Sequence, residues 1–249
     1  MSRASESRAE TAKLARLLRV DDPQALAFLL PIPAPELREY REAVTDLLYD
    51  DEEERLQRMA DAARLLPAST LAAIGEGALG PLFCARLTSL LDPRRAVEIS
   101  AHFTVDFLAQ LAAELDPRRA AEVVSAIATD TVVAVSAAMA ANGEHVAMGR
   151  FVAYLDDAAL SRSFEALSDE DLLRVTFVME GEEHLTSIFE MIGAERVDQM
   201  LAAAHESGLA EEAEHVAERL EAVSAPARAK PRGGKRPKGI ASTENAAKR

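Results

Sequence analysis

The hexapeptide Leu91-Asp92-Pro93-Arg94-Arg95-Ala96 returns as Leu115-Asp116-Pro117-Arg118-Arg119-Ala120, an offset of 24 residues. The match continues through Glu98 with Glu122, Asp106 with Asp130 and Ala113 with Ala137, nine identities in 24 positions. Self-similarity at this period marks stacked supersecondary units, none of which can bury its apolar surface alone. The chain is therefore constrained to an array of short units rather than a single layered domain.

Each unit reads as a hairpin of two short helices. Asp92 and Asp116 are placed as N-caps, with Pro93 and Pro117 at the first helical position. Ala96, Ile99, Ser100 and Phe103 keep helical spacing, matched by Ala120, Val123, Val124 and Ile127. The second helix carries Leu108, Leu111 and Leu115, matched by Val132, Val135 and Met139. Degenerate copies extend the array. Leu66-Pro67-Ala68-Ser69 opens an earlier unit, whose second helix is expected over residues 81–90. Asn142-Gly143 breaks the pattern, and helices follow over 144–155, 156–167, 169–180, 182–192, 194–207 and 209–223. Three more precede the repeats, at 6–18, 35–49 and 51–65, with Pro31, Pro33 and Pro35 as a rigid break after the first.

Composition agrees with an all-α chain. Hydrophobic residues make up 49%, aromatics only 4%, and there is no Trp. The apolar share is mostly Ala, Leu and Val, which suits close-packed short helices better than sheets. The expected architecture is a right-handed α-solenoid of hairpins repeating every 24–25 residues. It comprises N-terminal helices over 1–65, the repeat domain over 66–224, and a disordered tail over 225–249.

Several classes are excluded by residue usage. One cysteine forbids an intramolecular disulfide and the zinc sites built on two or four thiolates. Arg3, Arg8, Lys13, Arg16 and Arg19 stud the first 20 residues, so no secretory h-region is present there. The longest weakly polar run, 131–141, is short of the ~20 residues a membrane span needs. A cytoplasmic location is expected.

Net charge is −14, unevenly placed. The tail from residue 225 holds eight Lys/Arg against one Glu, which leaves +7 there and −21 on the rest. The body repels nucleic acid and the tail attracts it. Lys230, Arg232, Lys235, Arg236 and Lys238 form a loose AT-hook, interrupted by Gly234-Lys235.

Tandem short helices opening with a Leu-Asp-Pro phrase resemble the N-terminal cytosolic superhelical domain of MgtE-type magnesium transporters. They are similar, more distantly, to the middle domain of the motor switch protein FliG. The likeness covers residues 66–193 and is carried by 91–96, 115–127 and 167–175. The regulatory and membrane domains of such transporters have no counterpart here. The resemblance implies a free-standing interaction superhelix, with cation sensing through its acidic surface as a further implication.

Few residues present themselves as chemistry. Gly75-Glu76-Gly77-Ala78-Leu79-Gly80 is literally G-x-G-x-x-G, but a dinucleotide site needs a strand before it, and residues 67–74 read as a helix. Glu212 and His215 have the E-x-x-H spacing of di-iron bundles without a second copy. Glu180, Glu182, Glu183 and His184 form an acidic cluster able to hold Mg²⁺ weakly. Cys84, among Leu82, Phe83 and Leu87, reads as core. Arg94, Arg95, Arg118 and Arg119 place cations in first helical turns, against the dipole, and one repeat apart. That makes them candidates for a basic ladder facing an acidic protein partner.

The expectation is thus a non-enzymatic scaffold that binds a protein partner without a cofactor and leaves room for self-association. The alternatives are a nucleic-acid-associated protein acting through its tail and, third, a Mg²⁺-sensing module.

Overall fold

The computed structural model describes residues 3–20, 22–50, 53–179 and 182–224; the basic tail lies outside them. Before the repeats come α1 (Arg3–Leu17), a 3₁₀ segment (Pro23–Leu29), α2 (Ala34–Asp50) and α3 (Glu53–Ala63). The repeat region opens with α4 (Ala68–Ile74), which runs through a π-helical turn (Gly75–Leu79) into α5 (Pro81–Thr88). Next are α6 (Pro93–Ser100), α7 (Val105–Glu114), α8 (Ala121–Ala126) and α9 (Thr129–Ala141). Then come α10 (His145–Phe151), α11 (Asp157–Ala166) and α12 (Asp169–Val178), and last α13 (Glu182–Ile192), α14 (Ala194–Glu206) and α15 (Ala210–Ser224). No strand occurs among the described residues, and the protein is all-α.

Local chemistry sets the boundaries. The Asp92 carboxylate accepts from the Arg94 and Arg95 amides at 3.1 and 3.3 Å, with Pro93 at the first helical position. Asp156 accepts from the Ala159 amide at 2.7 Å, and Ser168 Oγ from the Asp171 amide at 3.1 Å. Gly143, at φ +75°, turns the chain out of α9 in a conformation that L side chains rarely adopt.

The second copy departs from the first. Asp116 accepts from the Arg118 amide at 3.2 Å, as a cap should, yet residues 117–120 form a turn and α8 begins only at Ala121. Asp116 is buried, and Arg118 and Arg150 bind its carboxylate at 3.0 and 3.1 Å. Its oxygens serve tertiary contacts beyond its own helix.

Helices pack on the next but one. One row runs α5, α7, α9, α11, α13; the other runs α4, α6, α8, and beyond it α10, α12 and α14 continue the alternation. The helices are short, six residues in α8 and thirteen in α9, so each is covered largely by the neighbouring units. α12 is the most enclosed, with Leu172, Leu173, Val175, Phe177 and Val178 all buried. Gly149 lets α10 approach it: a Cβ there would lie 2.6 Å from Val178 Cγ2.

α1 breaks the scheme. Polar in composition, it is nonetheless packed on α2, α10, α12 and α15. Its Glu10 is 2% exposed. The carboxylate is bound by Lys13 Nζ at 2.9 Å, Arg38 Nη2 at 3.2 Å and Arg41 Nε at 3.2 Å. Arg16 reaches across to Glu144 at 2.9 Å and to the Ala113 carbonyl at 3.0 Å.

Candidate functional site

The four arginines of the expected ladder take three different environments. Arg94 is exposed. Arg95 pairs with Glu98 at 2.5 Å and also donates to the carbonyls of Ala63 and Leu66, tying α6 to the junction of α3 and α4. Arg118 and Arg119 both donate to Asp46 of α2, at 3.3 and 3.1 Å, and Arg118 also approaches Glu42 at 3.4 Å. The Tyr49 ring lies under the guanidinium groups of Arg119 and Arg86, 4.9 and 5.6 Å from the centroid. Burial, then the neighbouring Asp116 carboxylate, pushes the Tyr49 phenol up. In this structure the second arginine pair docks α2 onto the repeats, and the acidic surface it faces belongs to its own chain.

The other candidates separate by burial. The G-x-G-x-x-G segment is a π-helical hinge between α4 and α5, with Gly80 at φ +80°. Glu76 within it accepts from the Thr104 amide and hydroxyl at 2.7 and 2.9 Å, which anchors the start of α7. Cys84 is buried, and that burial pushes its thiol up to about 11, so the thiolate nucleophile is suppressed. His215 is buried edge-on to Phe177. Among the described residues no group of three or more His, Cys, Asp or Glu could hold a metal ion. Glu180 lies outside the described residues, as do the side chains of Glu182, Glu183 and His184. Lys230, Arg232, Lys235, Arg236 and Lys238 lie outside them too. No described helix is long and apolar enough to cross a membrane.

Two features were not read from the sequence. The first is the outer face of α2, where Tyr40 (58% exposed), Ala43 and Leu47 (70% exposed) share one stripe. The opposite stripe, Leu37, Arg41 and Thr45, is buried. The buried stripe is the more polar of the two, and nothing local in the spacing says that it is the one covered.

The second is an apolar channel of about 200 Å³ between the two rows. Its lining begins at Ala60 and Ala63 of α3, passes Leu108 of α7 and Val135 of α9, and ends at Val175 of α12. No charged side chain is among its described lining residues. Among the lining residues Ile74 of α4 is 40% exposed, whereas Phe164, Leu167 and Val175 are buried. Thr88 and Ser100 in the wall turn their hydroxyls back to the Cys84 and Val97 carbonyls, both at 2.8 Å. Ser163, also among the lining residues, is 4% exposed, and its Oγ is buried without a hydrogen-bond partner.

No family model, curated protein or solved structure matches the chain.

Proposed function

We propose that the chain is a non-enzymatic helical-repeat adaptor of the cytoplasm that grips a protein partner. The observation that carries this reading is the outer face of α2. Tyr40 and Leu47 stay exposed while the opposite stripe is buried, and a contiguous apolar surface of this kind marks an interaction site. Exposed Glu36 and Glu39 flank the stripe, so the complementary surface is an apolar helix face edged by Lys or Arg. The alternating rows of short helices are what a superhelix of stacked hairpins would show, and the likeness of residues 91–96, 115–127 and 167–175 to the MgtE-type domain supports the same reading. A superhelix offers extended surface for such contacts.

The test is affinity capture with four forms: the full chain, a form ending at residue 224, Tyr40→Glu with Leu47→Glu, and the parent in excess Mg²⁺. A protein partner retained without the tail and lost with the double substitution, at unchanged melting temperature, is the expected outcome. Capture that vanishes with the tail or on nuclease treatment would move the function to nucleic acid. Capture that depends on Mg²⁺ would move it to cation sensing.

A further inference from the structure

We propose that the N-terminal end of the repeat stack, the outer surface of α3 and α4, is the interface of a two-fold homodimer whose occupant is a second copy of this chain.

The two ends of the stack differ. α4 heads one row and packs on α6, while α3 packs on α5 at the head of the other. Their inner stripes, Leu56 and Ala60 of α3 and Ala68 and Ala72 of α4, are buried. The outer stripe of α4, made of Ser69, Thr70, Ala73 and Ile74, is exposed and uncharged. Repeat arrays close such an end with a polar face. Here Met59, Leu65, Leu66 and Ile74 are exposed, Leu65 at 86%. Among the described residues every exposed large apolar side chain lies between Leu18 and Val105, and α13, α14 and α15 carry none.

The apolar tip of the α3–α4 hairpin is held in place. The Arg95 guanidinium donates to the Ala63 and Leu66 carbonyls, which bracket the turn. Leu65 and Leu66 are therefore presented from a fixed turn, and that lowers the cost of ordering them at an interface.

Charge and symmetry select the occupant. The body carries −21, so two copies repel one another over most of their surface. The hairpin is an exception: its exposed Glu53, Glu54 and Asp61 are balanced by exposed Arg55, Arg58 and Arg64. A second copy can approach there without net repulsion, and a patch of mixed sign can pair with itself across a two-fold axis. A head-to-tail array would need a matching apolar surface on α13–α15, where none is exposed among the described residues. The contact is thus isologous and closes at two copies. The hairpin's fifteen exposed residues are fewer than the ~20–30 a side of a standard interface, so the dimer is weak, with a micromolar dissociation constant.

The experiment is sedimentation velocity of the full chain from about 1 to 200 µM, a range that spans monomer and dimer at such an affinity. The mean mass should rise toward twice that of the monomer and no further. Leu65→Asp with Leu66→Asp brings like charges together from both copies and should raise the dissociation constant by about tenfold or more. Thr70→Arg, on the outer stripe of α4, should do the same by bulk. All three positions are exposed, so both variants should melt like the parent. High salt should leave the dimer in place, because the patch is neutral, and so should removal of residues 225–249.

A monomer at every concentration overturns the proposal. A dimer that dissociates in salt or on loss of the tail overturns it too, since the basic tail would then hold the copies together. So does a dimer indifferent to Leu65→Asp with Leu66→Asp, and species larger than a dimer refute the two-fold arrangement. Tyr40→Glu with Leu47→Glu should leave dimerisation unchanged; loss of the dimer with that pair would move the contact to α2. The adaptor reading is tested by partner capture and this one by mass, so their failures are distinguishable.

Discussion

His215 shows how a side chain whose sequence context suggests metal can serve as packing. Its ring stands edge-on to Phe177, with centroids 5.2 Å apart at 79°. Burial first, and then the Arg219 charge, pushes its pKa down to about 4. The folded protein thus holds this imidazole neutral where the unfolded chain, with a pKa near 6.5, would protonate it. The unfolded state binds more protons between those values, so stability falls as pH drops from about 6.5 toward 4. By pH 5 the loss from this one group is about 2 kcal/mol. His215→Phe should abolish that part of the acid sensitivity, read as a smaller fall in melting temperature between pH 7 and pH 5 than the parent shows. Equal slopes for the two proteins would rule the histidine out as the source. Arg118 and Arg119 teach a related lesson. Their position in the repeat is visible in the sequence, but not Asp46, the partner 72 and 73 residues away that receives them.

At the scale of elements, the contact of α10 with α12 depends on a missing side chain. A Cβ on Gly149 would meet Val178 Cγ2 at 2.6 Å and the Val175 carbonyl at 3.1 Å. Ala would gain about 1 kcal/mol of helix propensity, yet it forces the helices apart. Gly149→Val adds bulk that no rotamer can remove and should cost about 1–3 kcal/mol, measured as a lower denaturation midpoint at unchanged slope. A variant as stable as the parent would mean that the two helices have slack between them.

Such helices were legible because their ends carry local chemistry. Asp92-Pro93, Asp156, Ser168 and Gly143 fix the boundaries of α6, α11, α12 and α9 without reference to the rest of the chain. The burial of α1 was hidden because Glu10, Lys13 and Arg41 read as surface residues until the structure closes them on one another. The channel was hidden for the opposite reason. Leu108 and Val135 have the spacing of core positions, and periodicity does not distinguish a filled interior from an empty one.

For the whole molecule, helices mostly pack on others close in sequence, and α1 supplies the contacts of longest range, to α10, α12 and α15. Its seat centres on the Glu10 carboxylate and the three cations around it. Glu10→Ala removes the buried carboxylate that Lys13, Arg38 and Arg41 share and should destabilise the protein by about 3–5 kcal/mol. The damage should be uneven: amides of α1 and α2 should exchange with solvent well before those of α7 and α9. Uniform loss of protection would show instead that the stack melts as one unit.

The reach of α1 also has a consequence for synthesis on the ribosome. The repeats can condense in order as they emerge, each on its predecessor, but α1 appears first and one of its docking surfaces, α15, appears last. At ~5–20 residues per second, that interval is on the order of 10–40 s. Throughout it, the groups destined for the seat of α1 remain hydrated, and that polarity keeps the waiting segment from aggregating. A helix with an ordinary apolar face would spend the same interval as a hazard.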